Sequence, residues 1–255
     1  MSGAIYMAAS GALAYEKRLE IISNNLANVN TVGFKMDQGH FRFIDQVDSA
    51  KQSSQPLDDS QARLFWMQFN MYTDHSSGNL KNTGNDLDLA ILGKGFFCIQ
   101  TPDGVQYTRK GDFTLNSQGV LATQEGWPVL GNGGNISIQS HANPYQHKKF
   151  AVDEEGNISV DGQQVDSLRI VDFPQPYRLE KVGSTLFKPV SPEIEAINAE
   201  EAKVSQGFVE LSNVDAVKMM TEMIEVLRGY ESYQKVIRSV DEANARAINE
   251  VGKTT

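Results

Sequence analysis

Residues able to do chemistry are present in this chain, but they are dispersed. His40, His75, His141 and His147 could ligate a metal or relay a proton, yet none has ligand-type partners at metal-site spacing. They read as solvated surface residues. The pair Asp86/Asp88 and the run Asp153-Glu154-Glu155 could serve acid–base work, but both adjoin turn signals, where carboxylates are ordinarily hydrated. Two glycine-rich stretches, GNGGN (131–135) and LGKGFF (92–97), could cradle a phosphate. Neither carries the Gly-Lys-Ser/Thr ending that opens a helix. No Gly-x-Ser-x-Gly elbow occurs. Cys98, the one cysteine, excludes an intrachain disulfide and sits in the apolar run Phe96–Ile99, where it reads as a small buried hydrophobe. Trp66 and Trp127 read as core or interface aromatics. The expectation is a protein that is not an enzyme, with no catalytic residue, no cofactor and no metal.

Bulk properties narrow the remaining classes. The 255 residues are 40% apolar and 22% charged, ordinary for a globular chain with one large domain or two modest ones. A net charge of −9 argues against nucleic acid as a partner, because phosphate binding needs clustered Lys and Arg. No apolar run approaches the ~20 residues a membrane-spanning helix needs, so no membrane insertion is expected. The first residues lack a charged segment followed by an apolar one, so no cleavable signal peptide is expected either.

Spacing, rather than reactive groups, carries the strongest signal. Ile5, Ala8, Ala12, Tyr15, Leu19, Ile22, Leu26 and Val29 follow a three-four alternation, the seam of a coiled coil. Ala216, Met219, Met223, Val226, Tyr230, Tyr233, Ile237, Val240, Asn244, Ala247 and Val251 repeat it near the other end. Met220, Ile224 and Leu227 widen the apolar face there and imply more than one neighbouring helix. Ser212 or Asn213 is the expected N-cap of this second helix and Gly252 its stop. An alanine-rich seam offers little burial, so both helices are expected to be loose in the monomer and to order against copies or partners.

Between them the period changes to two. Runs rich in β-branched and aromatic residues from about Leu80 to Val190 alternate with turn dipeptides such as Asp103-Gly104, Gln118-Gly119 and Glu125-Gly126. Strands this close, without intervening helices, predict an antiparallel β domain. The fold class is therefore α+β, with N- and C-terminal helices pairing as a coiled coil around a central antiparallel β domain. The expected divisions are residues 1–35 (first helix), 36–79 (extended connector with loosely packed strands), 80–190 (β domain), 191–213 (return connector) and 214–255 (second helix).

Three blocks carry a resemblance. NNLANVNTVGFK (24–35) is similar to the signature of bacterial flagellar rod and hook proteins. Residues 88–131, with DLAILGKGFF and YTRKGDFTLNSQGVLATQEGWPVLG, resemble that family's β-domain block. VELSNVDAVKMM, from Val209, resembles its closing helix, with Leu211 where the family usually has glycine. The resemblance implies a structural rod subunit whose partners are other rod subunits, copies of itself and the flagellar type III export apparatus. It implies a place in the basal-body rod crossing the periplasm, reached without a cleaved signal peptide. Length and the short segment after Phe34 favour the proximal rod, with the distal rod or a secreted non-flagellar scaffold or binding module as alternatives. Within it, Ile5, Leu19, Ile22, Leu26, Val29, Met223, Val226, Tyr230, Tyr233, Ile237 and Val240 would form the assembly interface. Asn24, Asn25, Asn28, Gly33 and Phe34 would form the turn that redirects the chain. Phe43 and Val47, in FIDQV, match an export element of the Phe-x-x-x-hydrophobic kind.

Overall fold

The computed structural model describes residues 2–44, 66–138, 150–199 and 201–251. Its architecture is α+β: one helix near each end of the chain, antiparallel strands between. The described residues divide into two compact units.

The helical unit contains α1 (Ser2–Ala27), the strands β1 (Asp37–Ile44) and β2 (Trp66–Thr73), and α2 (Ala216–Val251). Its helices run antiparallel, since Tyr15 meets Tyr233 while Asn25, further along α1, meets Met219, earlier on α2. β1 and β2 form an antiparallel ribbon in register from Asp37↔Thr73 to Ile44↔Trp66. Phe41 of the ribbon lies 5.1 Å from Phe69 and 6.2 Å from Tyr15 on α1, ring centre to ring centre. Where an extended connector is expected from sequence, part of the segment thus builds a regular ladder packed on α1. Phe41, Phe43, Ile44, Trp66, Phe69, Tyr72 and Thr73 give these two runs strand-forming residues, and their pairing across the intervening segment makes the ladder.

The β-rich unit spans the described residues of 28–36 and 75–214. It opens with β3 (Leu80–Asn82), β4 (Leu89–Leu92), β5 (Phe96–Thr101), β6 (Gly104–Thr108), β7 (Thr114–Leu115), β8 (Leu121–Ala122), β9 (Leu130–Gly131) and β10 (Gly134–Asn135). It continues with β11 (Phe150–Val152), β12 (Asn157–Val160), β13 (Gln163–Ser167), β14 (Ile170–Asp172), β15 (Leu179–Val182), β16 (Leu186–Pro189), β17 (Ile197–Asn198), β18 (Lys203–Gln206) and β19 (Phe208–Glu210). The largest sheet has the order β15-β16-β6-β5-β14-β17, all antiparallel. β5 and β6 close at the Asp103-Gly104 turn predicted from sequence.

β5 organises the interior. Its alternate residues point to opposite sheet faces. Phe97 and Ile99 join a cluster with Leu89, Leu121, Val129 and Ile158, whereas Phe96 and Cys98 join another with Val171, Phe173 and Phe187. Both faces of the strand are buried, which is why FFCI reads as a continuous apolar run rather than an alternating one. The stretch around residues 203–210, expected as a return connector, carries β18 and β19, paired with β4 and β3.

Candidate assembly interface

The N-cap of α2 is Asp215, not Ser212 or Asn213. The Asp215 carboxylate accepts the Lys218 N–H at 3.0 Å, and its carbonyl accepts the Met219 N–H at 2.9 Å. Asp215 therefore holds the helix's orphan donors. Asn213 is occupied elsewhere: its side chain accepts the Met36 N–H at 2.7 Å and donates to Ser76. The predicted stop Gly252 lies outside the described residues.

Of the predicted seam, Ile22 and Val226 are buried, as are Ala8, Ala12 and Met219. Ile5, Leu19, Leu26, Met223, Tyr230, Tyr233, Ile237 and Val240 are half-buried on the same two helices. Val29 is not on α1, which stops at Ala27; it is half-buried in the following turn. Sequence reasoning missed the two glycines that let the helices approach. A methyl group at Gly11 would stand 2.4 Å from the Tyr233 ring, and one at Gly229 would stand 2.1 Å from the Tyr15 ring. Each tyrosine lies over the other helix's glycine. Their signal was a small residue within each apolar face.

A second apolar stripe has no cover among the described residues. Val217, Met220, Ile224 and Leu227 recur at three-four spacing along α2 and are 43–75% exposed. Tyr6, Met7 and Leu13 on α1 are exposed as well. Scattered exposed apolar residues need no explanation, but a periodic run of them on one helix face is a docking signal.

The asparagine cluster divides its labour. Asn24 is exposed. Asn25 is buried and grips the main chain of Asp37 on both sides, donating to its carbonyl at 2.7 Å and accepting its N–H at 2.9 Å. Both ribbon and helix are thereby fixed within the helical unit. In the β-rich unit, Asn28 accepts the Thr31 hydroxyl, while the Asn28 carbonyl accepts the Thr31 N–H. Gly33 adopts φ +69°, and a side chain there would drive into the backbone of Arg109 and Lys110, so glycine is required twice over. Phe34 is fully buried beneath the Lys181 ammonium, 4.2 Å from its ring centre.

Beside that turn lies a group absent from the sequence reading. Lys35, Arg109 and Glu210 are each at most 4% exposed. Lys35 Nζ donates to Glu210 Oε1 at 2.6 Å and to the Ser76 carbonyl at 2.6 Å. Arg109 donates to Glu210 Oε2 at 3.3 Å and to the carbonyls of Ile91 and Gly93 at 3.0 and 2.5 Å. Burial pulls the Arg109 guanidinium below its ordinary value, with the Glu210 charge opposing. Charges inside otherwise apolar blocks, such as Glu210 between Val209 and Leu211, were the available signal.

Among the described residues no group of three or more His, Cys, Asp or Glu is placed to hold a metal ion. His75 is not a solvated surface residue: it is half-buried among Phe96, Tyr177 and Phe187. His40 is exposed beside Tyr72. His141, His147 and Val47 lie outside the described residues. Phe43 lies in β1, opposite Met67.

Family models match three stretches of the chain. The flagella basal body rod protein matches residues 5–35, the flagellar hook protein FlgE/F/G D1 domain residues 90–160, and the flagellar basal body rod FlgEFG protein C-terminal residues 205–250. Among curated proteins, the flagellar basal-body rod protein FlgG of Bacillus subtilis is 34% identical over 272 aligned positions, covering 98% of this chain and 99% of the relative. FlgF of Caulobacter vibrioides is 34% identical over 254 positions, covering 99% of each. FlgF of Mesorhizobium japonicum is 32% identical, again over 99% of each. The two helix-bearing blocks and the β block between them stand in the same order in this chain, which belongs to the flagellar basal-body rod protein family.

Proposed function

We propose that this protein is a structural, non-enzymatic subunit of the flagellar rod that polymerises through its terminal helices and transmits torque through the core they form. The observation that carries the reading is the uncovered stripe of Val217, Met220, Ile224 and Leu227 on a helix whose other face already packs on α1. One neighbour occupies the seam within the subunit; the stripe is left for a neighbour from outside. In that setting the two helices extend their three-four alternation into a coiled coil shared between subunits. The assembly residues are that stripe together with the seam from Ile5 to Leu26 and from Met223 to Val240, whose half-buried positions keep an open side for the shared coiled coil. The partners are copies of this chain and other rod subunits, reached after export without a cleaved signal, with Phe43 and Val47 as the element read by the export apparatus.

The short stretch after Phe34 favours a proximal place, with the distal place as the second reading. The test is Ile224→Asp. An exposed substitution of this kind alters monomer stability by only about 0.5 kcal/mol, so the variant should fold and be secreted, yet fail to build a rod and leave cells non-motile. Wild-type motility would overturn the reading.

A further inference from the structure

We propose that Lys35, Arg109 and Glu210 form a closure clamp: the returning strand β19 brings one carboxylate to two buried cations, and only then do residues 33–35, β3, β4, β18 and β19 order together as a single late step. The three residues come from widely separated parts of the chain, and each holds further backbone beyond the charge contact. Glu210 Oε1 accepts the Gly78 N–H at 2.8 Å, and the Glu210 carbonyl accepts the Gly33 N–H at 2.8 Å. Arg109 holds the carbonyls of Ile91 and Gly93, at and just beyond the end of β4. Lys35 holds the carbonyl of Ser76.

The pairing pattern makes this group non-local. β5–β6, β12–β13 and β15–β16 are hairpins that close over short turns, whereas β3 pairs with β19 and β4 with β18, more than a hundred residues apart. Long loops must be closed before such pairings return anything, so they form after local hairpins. Electrostatics adds the cooperativity. Two desolvated cations side by side are unfavourable until the carboxylate they share arrives, and the carboxylate in turn is unfavourable there without them. A static ion pair would merely add stability at one spot. This arrangement makes the pieces it touches arrive and leave as one. If the chain is exported amino end first, a consequence that rests on the proposed function, the unit stays open until residue 210 has emerged; the closure itself does not depend on that.

Native-state hydrogen exchange on the full-length protein tests it. In the wild type, the amides of Gly33, Thr83, Gly207 and Leu211, whose bonds join the segments concerned, should share one opening isotherm at low denaturant, distinct from and below that of the β5–β6 ladder. Glu210→Gln keeps the shape and removes the charge. It should raise exchange at all four together on the order of a hundredfold, leaving β5–β6 nearly unchanged. Faster exchange at Gly33 and Leu211 alone would overturn the clamp, as would a wild-type isotherm common to the four amides and β5–β6. Should Glu210→Gln not fold, the wild-type isotherms decide by themselves. Rod assembly enters none of these readouts, so this proposal and the assembly proposal fail separately.

Discussion

The Tyr15 ring fills the space that a side chain at Gly229 would need, its nearest carbon 2.1 Å from where a Cβ would stand. It is hemmed in by Tyr233 at 5.4 Å and Phe41 at 6.2 Å between ring centres, so it has little room to withdraw. Two effects compete in Gly229→Ala. Helix propensity gains about 1 kcal/mol, while overpacking costs about 1–3 kcal/mol. The clash should win: the helical unit of Gly229→Ala melts earlier than wild type by circular dichroism, and Gly11→Ala behaves alike. A rise in melting temperature for both would contradict the packing.

Asn25 makes a second prediction inside the same unit. Asn25→Ala leaves the part-buried donor and acceptor of Asp37 without this partner, a loss of about 1 kcal/mol. Exchange of the β1–β2 ribbon amides should speed up accordingly, with the β-rich unit unaffected.

The seam makes a third. Leu26→Asp or Ile237→Asp places a charge where assembly requires desolvation. Either variant should abolish polymerisation while near-ultraviolet dichroism of the β-rich unit stays native. In dilute wild-type monomer, amides of residues 5–27 and 216–251 should exchange much faster than those of β5 and β6, because small residues at Ala8, Gly11 and Ala12 give the pair little to bury. Strong protection of both helices in dilute monomer would count against assembly-coupled ordering.

Cys98 makes the fourth. Burial pushes its thiol up to about 11, and the thiolate is the reactive form. Native protein at pH 8 should resist iodoacetamide, and urea should release the reaction. The neutral thiol is the form the folded state favours. Its contribution is therefore intact below the ordinary value of 9.0 and is lost as pH climbs from there through about 11. Equal alkylation rates with and without urea would contradict the burial.

How much of this was legible in the sequence follows from the range of the interactions. α1 and α2 announce themselves through spacing, because a helix is written in neighbours three and four apart. The β5–β6 hairpin is similarly local, closed by Asp103-Gly104. The strands expected loosely in 36–79 are present, but their regular pairing, like the other features below, depends on distant partners. The β1–β2 ribbon, the return of β18 and β19, and the Lys35–Glu210–Arg109 group all join residues that no local pattern links. The N-cap of α2 is set by the same kind of contact: Ser212 and Asn213 have suitable side chains, but Asn213 bonds to Met36 and Ser76, and Asp215 caps. Around the candidate site, the apolar spacing of the two helices is written in the sequence; that Gly11 and Gly229 lie under Tyr233 and Tyr15 is not.

A strand buried on both sides has no tolerance for slippage. One residue inserted into β5 would send Phe96 and Cys98 to the side built for Phe97 and Ile99, ruining two cores at a stroke. Divergence in length among such chains must therefore be absorbed at hairpin tips like Asp103-Gly104, never along the strand itself.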